Sequence, residues 1–189
     1  MRLTFLGTGT SFGVPQIGCG CAVCRSADPR DRRTRVGALV ETDAGRRILV
    51  DTPPELRLQL VAAGVDGVDA VLFTHDHADH VHGIDDVRAF TARGRAPLVM
   101  YGSESTAAAL ARKFPYIFDD RIRPLPGTSK PEGRLRALRE GEPAEVAGEL
   151  VTPVTVPHGL AEVFAYRMGP LAYVTDAKTL PHAALAVLR

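Results

Sequence analysis

The sequence predicts an α/β fold in which two β-sheets pack together and helices cover them. Short apolar segments bounded by Gly, Pro and Asp occur in both halves of the chain, which is typical of strands. Helical segments lie between them, and this alternation favours a layered α/β architecture. Of the 189 residues, 45% are hydrophobic and 24% are charged, enough apolar material for one sizeable core. We therefore expect one domain, residues 1–189.

The first half of the chain alternates between strands and helices. Its predicted strands are residues 2–6, 36–42, 46–51, 68–73 and 97–101. The second and third strands form a hairpin, because a Gly-containing turn at 43–45 joins them. One helix starts after Pro53-Pro54 and ends near Gly64, and a second is capped by Ser103 and continues to Phe114.

The second half contains more strands and fewer helices. Residues 124–148 are rich in Pro, Gly and charge, which predicts a long loop with one short strand near Leu135–Leu138. Three strands and a helix follow, at 150–156, 163–168, 171–175 and 180–188. No repeat, linker or low-complexity segment indicates a second domain.

Charge and hydropathy exclude several classes of protein. The net charge is +1, from 23 Lys and Arg against 22 Asp and Glu, so no overall field attracts nucleic acid. No apolar run reaches the roughly 18 residues of a membrane span. The apolar start of the chain is interrupted at Gly7, too early for a secretory signal. We therefore expect a cytoplasmic protein with no membrane contact.

Four of the six histidines lie between residues 75 and 82. His75 and His77 follow a predicted strand and are two residues apart, so both rings can point to one side and share a metal. Asp79 and His80 come next, in a turn, and can serve a second metal. Imidazole and carboxylate ligands suit zinc, manganese or iron better than calcium. A merely solvated polar loop is the alternative, and the density of ligand-type residues disfavours it.

His158 and Asp176 each end a predicted strand much later in the chain. Alone, either residue would be read as an ordinary turn or cap. Together with the earlier cluster, they supply the third histidine and the bridging carboxylate that a two-metal site requires. His182 has no such context and is expected on a helix surface.

All three cysteines of the chain, Cys19, Cys21 and Cys24, lie within six positions. Three thiolates at this spacing can converge on one zinc, whose fourth ligand comes from elsewhere. A disulfide is awkward at this spacing and leaves an odd thiol, and inert buried thiols are the other alternative. The spacing favours zinc.

The segments beside the cysteines are less specific. The glycine-rich turn at 7–13 is not followed by Gly-Lys-Ser/Thr, so it is not a nucleotide P-loop, and a turn near the metals is the simpler interpretation. A basic stretch at 25–35 contains five arginines. These could contact a substrate phosphate, but a solvated loop is the simpler interpretation here too.

These motifs resemble the metallo-β-lactamase superfamily. His-x-His-x-Asp-His after an apolar strand, a distant His-Gly and a strand-ending Asp occur here in the family's order, over nearly the whole chain. The resemblance implies a four-layer αβ/βα sandwich with two metals at the sheet edges. It implies that His75, His77 and His158 hold one metal and that Asp79 and His80 hold a second. Asp176 would bridge the two metals.

The N-terminal motif narrows the resemblance. Residues 7–15, the cysteine segment and residues 26–31 and 82–88 resemble PhnP-type cyclic phosphodiesterases. That branch implies a structural zinc on the cysteines and hydrolysis of a small phosphodiester at two divalent metals, zinc or manganese. The hypothesis is that a hydroxide bridging the metals attacks phosphorus, with Asp79 as the catalytic residue that orients it.

Three alternatives stay open. A ribonuclease Z-like tRNA 3′-processing nuclease would need a basic arm, which is not evident, so nucleic acid is not the favoured partner. A thiol-ester hydrolase of the glyoxalase II type would not explain the cysteine segment. A metal-binding relative without catalysis is the third. After Asp176 we find no counterpart of the family's last strand, last helix and further histidine ligands. The expectation is therefore a shortened fold with weaker metal sites, or a homodimer in which a neighbouring copy supplies ligands.

Overall fold

Two β-sheets pack face to face in the computed structural model, which describes residues 1–92, 96–159 and 161–189. Within these residues the first sheet has six strands, in the order β1 (Arg2–Gly7), β2 (Gly37–Glu41), β3 (Arg47–Val50), β4 (Ala70–Leu72), β5 (Leu98–Gly102) and β6 (Gly133–Ala137). The second has four, in the order β10 (Leu171–Tyr173), β9 (Ala161–Met168), β8 (Glu149–His158) and β7 (Ala144–Val146).

The directions of the strands bring the carboxyl ends of the parallel strands to one edge of the first sheet. This edge lies beside the strand ends of the second sheet. β1, β2 and β3 are antiparallel, whereas β3, β4, β5 and β6 are parallel. The carboxyl ends of the parallel strands therefore meet at a single edge, where ligands commonly bind in open α/β sheets. The second sheet is antiparallel throughout its described strands.

Short helices cover both outer faces. They are α1 (Leu56–Ala62), α2 (Ala78–Val81), α3 (Arg88–Thr91), α4 (Glu104–Lys113), α5 (Pro115–Phe118) and α6 (His182–Leu188). Ser103 caps α4 as predicted, since its Oγ accepts a hydrogen bond of 3.1 Å from the Thr106 amide. No helix in the described ranges is both long and apolar enough to cross a lipid bilayer.

Three apolar clusters separate four layers. One lies between the sheets and includes Ile48, Leu72 and Tyr166. A second lies between the first sheet and helices α1–α5, and a third joins the second sheet to α6 through Val156 and Ala184. This helix–sheet–sheet–helix order confirms the predicted α/β four-layer sandwich.

The segment predicted as a long loop, 124–148, contains two strands, where one was expected. β6 pairs in parallel with β5 from Leu98↔Gly133 to Gly102↔Ala137, and β7 pairs with β8. Partly buried Leu135 packs against the helix-covered core. The Pro- and Gly-rich composition concealed these strands, because pairing with distant segments stabilises them. The short helices α2, α3 and α5 were not predicted either.

Candidate metal centre

The predicted metal ligands lie where the two sheets meet. His75, His77 and His80 follow β4, whereas His158 ends β8 and Asp176 follows β10. Hydrogen bonds join the sheets directly beside the histidine loop. The Phe164 amide donates to the Thr74 carbonyl at 2.9 Å, and the Tyr166 hydroxyl donates to the Phe73 carbonyl at 2.6 Å.

The structure brings five of the predicted residues into two overlapping groups of ligand atoms. One group contains a ligand atom from each of His75, His77 and His158, all within 4.8 Å of one another. A second group contains His75, His80 and Asp176, whose ligand atoms also lie within 4.8 Å of one another. Asp79 belongs to neither group, but its Oδ2 lies 3.6 Å from His80 Nε2.

Asp176 occupies the centre of this arrangement. Its Oδ2 is 3.8 Å from His75 Nε2, 3.4 Å from His80 Nε2 and 3.7 Å from His158 Nε2. Asp176 has a φ of 56°, a left-handed conformation that Asp tolerates better than most residues. One carboxylate oxygen thus faces three imidazoles, which suits the predicted bridging position.

Three of the imidazoles are oriented by a hydrogen bond at Nδ1. His75 Nδ1 lies 3.0 Å from Thr74 Oγ1, His80 Nδ1 lies 2.8 Å from Asp51 Oδ2, and His158 Nδ1 lies 2.7 Å from the Asp176 carbonyl. A ring that donates from Nδ1 leaves the Nε2 lone pair free for a metal. In all three cases the Nε2 atom therefore faces the centre of the site.

Asp51 is the site residue that sequence reasoning missed. It is fully buried after β3, with a φ of 62°. Its carboxylate accepts hydrogen bonds of 2.8 Å from the Thr74 amide and from Thr74 Oγ1, besides contacting His80. Asp51 and Thr74 thus connect His75 to His80. The available signal was a carboxylate directly after an apolar strand, ahead of Thr-Pro-Pro.

In the absence of a metal, the two buried histidines have opposite pKa shifts. Burial, with His80 nearby, lowers the pKa of His75 to about 4. Burial also opposes charge on His80, but the Asp51 and Asp176 carboxylates outweigh it and raise the pKa of His80 to about 10. The His80 ring holds the pKa of Asp176 well below its usual range. The centre therefore combines neutral and ionised ligand types.

The donor set fits a divalent metal. The Nε2 atoms of His75 and His80 are buried and have no hydrogen-bond partner among the residues that the structure describes, an unfavourable state for a polar atom unless a ligand satisfies it. Donors that surround one tetrahedral zinc at about 2.0–2.1 Å lie about 3.4 Å from one another. The separations of 3.4–3.8 Å around Asp176 Oδ2 are close to that value.

The predicted cysteine site lies on an irregular N-terminal loop. Ligand atoms of Cys19, Cys21 and Cys24 are within 4.8 Å of one another, and all three thiols are free. Cys21 is exposed, and the other two are half-buried. A hydrogen bond from the Cys24 amide, with the Cys19 side chain, lowers the pKa of the Cys21 thiol. The group can supply three ligands to one cation.

The glycine-rich turn is required by close backbone packing. A Cβ on Gly7 would lie 2.1 Å from the Arg35 carbonyl oxygen, and one on Gly9 would lie 2.7 Å from that of Arg33. The turn consequently lies against the 33–35 segment and reaches the predicted metal ligands. Gly9, Thr10 and Ser11 line one side of a cleft of about 370 Å³. We call it the ligand cleft; its other lining residues are Val36, His77, Asp79, His158, Asp176, Ala177 and Lys178.

The basic stretch at 25–35 contributes no side chain to the ligand cleft within the described residues. Arg35 forms an ion pair with Glu55, and Arg33 donates a hydrogen bond of 2.9 Å to Thr8 Oγ1. These arginines stabilise the loop itself, so the structure favours the simpler interpretation of this stretch. His182 is exposed at the start of α6, as expected.

Comparison with known proteins supports the family resemblance that the sequence motifs indicate. Residues 46–189 match the model of the beta-lactamase superfamily domain. A relative from Porphyromonas gingivalis (strain ATCC BAA-308 / W83), named octanoyltransferase, is 42% identical over 180 residues. The match covers 95% of this chain and 35% of that protein, so the chain spans about a third of its relative's length.

Two solved structures are also similar. A diphosphatase from the PhnP family has a TM-score of 0.86 and 40% identity, covering 99% of this chain and 69% of the other. Zn²⁺-bound PqqB from Methylobacterium extorquens has a TM-score of 0.75 and 23% identity, covering 98% and 69%, and shows a shared fold. The family match and the PhnP-family structure, taken with the ligand geometry, show that the chain belongs to the metallo-β-lactamase superfamily, in its PhnP-like branch.

Proposed function

We propose that the chain is a metal-dependent hydrolase that cleaves a phosphorus–oxygen bond in a small phosphodiester or diphosphate substrate. The observation that carries the proposal is the position of Asp176 Oδ2, 3.4–3.8 Å from three histidine Nε2 atoms. Such an arrangement suits a carboxylate that bridges two cations. The PhnP-family structure, described as a diphosphatase, supports a phosphoryl substrate.

The residues divide between two cation positions. His75, His77 and His158 would hold one cation, Asp79 and His80 would hold the other, and Asp176 would contact both. Paired divalent cations activate water near neutral pH and neutralise charge on the attacking and leaving oxygens.

Side chains of the protein orient the histidine rings and the attacking water. Asp51 and Thr74 fix the planes of the His80 and His75 rings, so that neither ring must reorganise during the reaction. Asp79 is partly buried at the wall of the ligand cleft and is the residue we assign to orient the attacking water. Hydrolysis consumes one water. A bond forms from the water oxygen to phosphorus, the bond to the leaving oxygen breaks, and one water proton ends on that leaving oxygen.

The ligand cleft suits a small substrate. Its volume of about 370 Å³ is near the lower end of the range for small-molecule sites. Its described lining contains Gly, Thr, Ser and ligand side chains but no Phe, Tyr or Trp, the residues on which unpaired nucleobases commonly stack. We therefore favour a small phosphoryl compound over tRNA.

The octanoyltransferase name of the Porphyromonas relative points to different chemistry. That name describes a protein of which the match covers 35%. None of the described site residues favours acyl transfer over hydrolysis, whereas two divalent cations held by these residues would suit phosphoryl chemistry.

The test is hydrolysis of bis(p-nitrophenyl) phosphate with manganese or zinc added, for the wild type and for His77→Ala. We expect turnover by the wild type, and a rate reduced roughly a thousandfold in His77→Ala, the equivalent of about 4 kcal/mol of transition-state stabilisation. Circular dichroism would verify that the variant folds. Equal inactivity of both proteins on this ester and on a dinucleoside diphosphate would refute the proposal.

For the cysteine group we propose a zinc ion, because thiolates are soft ligands that favour zinc over manganese. Free thiols also agree with the reducing cytoplasmic environment that we propose for this chain. Elemental analysis of purified wild type and Cys21→Ser checks the assignment. The variant should lose zinc and no manganese.

A further inference from the structure

The ligand cleft contains one cation whose role the proposed function does not explain. Lys178 lies two residues beyond Asp176 and lines the ligand cleft. It also lines a neighbouring depression of about 530 Å³, together with His77 and His158. Lys178 therefore borders two spaces that also contain His77 and His158, two of the three ligands proposed for the first cation.

Lys178 is the only Lys or Arg among the described residues that line these two spaces. Other cations nearby have partners: Lys113 Nζ donates to Asp76 Oδ2 at 2.6 Å, and Arg35 pairs with Glu55. In the part of the chain that the structure describes, Lys178 forms no ion pair or hydrogen bond and is exposed. Its positive charge is thus not neutralised by the protein.

The two carboxylates that line the ligand cleft, Asp79 and Asp176, face imidazoles. Asp176 Oδ2 faces the three imidazoles, and Asp79 Oδ2 faces His80. An ammonium group at the rim of a cleft that accepts phosphoryl oxygens is well placed for a charge-assisted hydrogen bond to a further anionic oxygen.

We propose that Lys178 is a specificity-determining residue that binds a second anionic group of the substrate, adjacent to the phosphorus that is attacked. The inference rests on the proposed phosphoryl hydrolysis and deepens it. A simple phosphodiester has one negative charge, which faces the cation positions, and gains little from Lys178. A diester of diphosphate has a second charged phosphoryl group that can reach the ammonium. Lys178 therefore makes the cleft prefer diphosphates over simple phosphodiesters.

The experiment compares two substrates in four proteins. Bis(p-nitrophenyl) phosphate supplies one charge and diadenosine diphosphate supplies two. The proteins are the wild type, Lys178→Met, Lys178→Arg and, as a control for net charge, Arg57→Gln. Arg57 is exposed on α1 and lines neither space.

We expect Lys178→Met to lower kcat/KM for diadenosine diphosphate about tenfold, chiefly through KM, as for loss of one charged hydrogen bond. Its kcat/KM for bis(p-nitrophenyl) phosphate should stay within about twofold of wild type. Lys178→Arg should retain most of the preference, and Arg57→Gln should leave both values unchanged. Equal losses for both substrates, or no loss for either, would overturn the inference.

A binding measurement separates this inference from the proposed function. Calorimetry with the manganese-loaded chain compares inorganic diphosphate with inorganic phosphate. Lys178→Met should weaken diphosphate binding about tenfold and phosphate binding by less than about twofold. If the wild type cleaves neither ester, the proposed function fails, and the selectivity of this binding still decides the role of Lys178.

Discussion

The histidine cluster and the cysteine cluster differ in how far the protein has built them before any metal binds. His75 and His80 are 1% and 0% exposed, and each has an Nδ1 hydrogen bond that sets its ring. Cys21 is exposed, and the thiols accept amide hydrogen bonds at sulfur, which is a weak acceptor. The Gln16 amide lies 3.4 Å from Cys24 Sγ, and the Cys24 amide lies 3.5 Å from Cys21 Sγ.

The difference indicates that metal binding depends on the fold in two ways: one site is formed before a metal binds, and the other is ordered by the metal. In the histidine cluster, burial and hydrogen bonds determine the ligand positions, so a metal enters a preformed site. In the cysteine cluster the ligands are exposed or half-buried and their contacts with the protein are weak, so we expect a metal to order the loop further on binding. We call these the preformed site and the loop site.

The largest effect that would test this comparison is expected from Asp51→Asn. The substitution keeps a residue that tolerates the φ of 62° but removes the charge that faces Thr74 and His80. Loss of one partner of a buried charged pair costs about 3–5 kcal/mol. Urea denaturation of the metal-free chain measures the free energy of unfolding.

The matched control is Asp28→Asn beside the loop site, where an exposed carboxylate contacts Arg30. We expect no measurable change in its denaturation midpoint. Equal effects of the two substitutions would show that the preformed site is no better built than the loop site.

Thr74→Val tests the next contact in the preformed site. Thr74 Oγ1 donates to Asp51 and lies 3.0 Å from His75 Nδ1, so its loss leaves buried polar atoms without a partner. We expect destabilisation of about 1–3 kcal/mol and about tenfold weaker metal binding. Ser26→Ala, which removes a hydroxyl that accepts from the Asp28 amide, serves as the control and should change neither quantity. Unchanged metal affinity in Thr74→Val would contradict an orienting role for Thr74.

Thiol labelling addresses the loop site directly. In the folded, metal-free chain the thiols should react readily with Ellman's reagent, because they are free, Cys21 is exposed and the other two are only half-buried. With zinc at about ten times its Kd, labelling should slow about tenfold, because only the zinc-free fraction reacts. Protection by manganese to the same extent would argue against a zinc-selective site.

The smallest effect is expected from Cys21→Ser. Without metal, the variant should unfold at the same urea concentration as the wild type, since Cys21 is exposed. Its turnover of bis(p-nitrophenyl) phosphate should stay within about twofold of wild type. A large stability loss without metal would mean that the loop site is preformed after all.

The residues of the candidate metal centre could be selected from sequence, whereas the residues that orient them could not. Spacing and strand ends were enough to select His75, His77, His158 and Asp176, because ligand chemistry restricts the residue types. Asp51 belongs to a strand from another part of the chain, and a single Asp before Thr-Pro-Pro has many ordinary explanations. Its role depends on parallel pairing of β3 with β4, which places it beside Thr74.

The same contrast holds for the fold, in which some elements were predictable from sequence and others were not. Layers, the hairpin and the capped helix α4 follow from local patterns, and the structure contains them. β6 and β7 could not be seen in a Pro- and Gly-rich segment, since their stability comes from β5 and β8. The role of Lys178 is likewise visible only when the turn after β10 is placed against the N-terminal turn.

The junction between the sheets also has a kinetic consequence. Tyr166 and Phe73, whose side-chain and backbone oxygens join the sheets, are 93 residues apart in the chain. His158 and Asp176 reach the earlier histidines only when this junction has formed. Contacts between distant segments form slowly during folding. In refolding experiments, metal uptake by the histidines should therefore lag behind the recovery of helical signal, and its rate would report the docking of one sheet on the other.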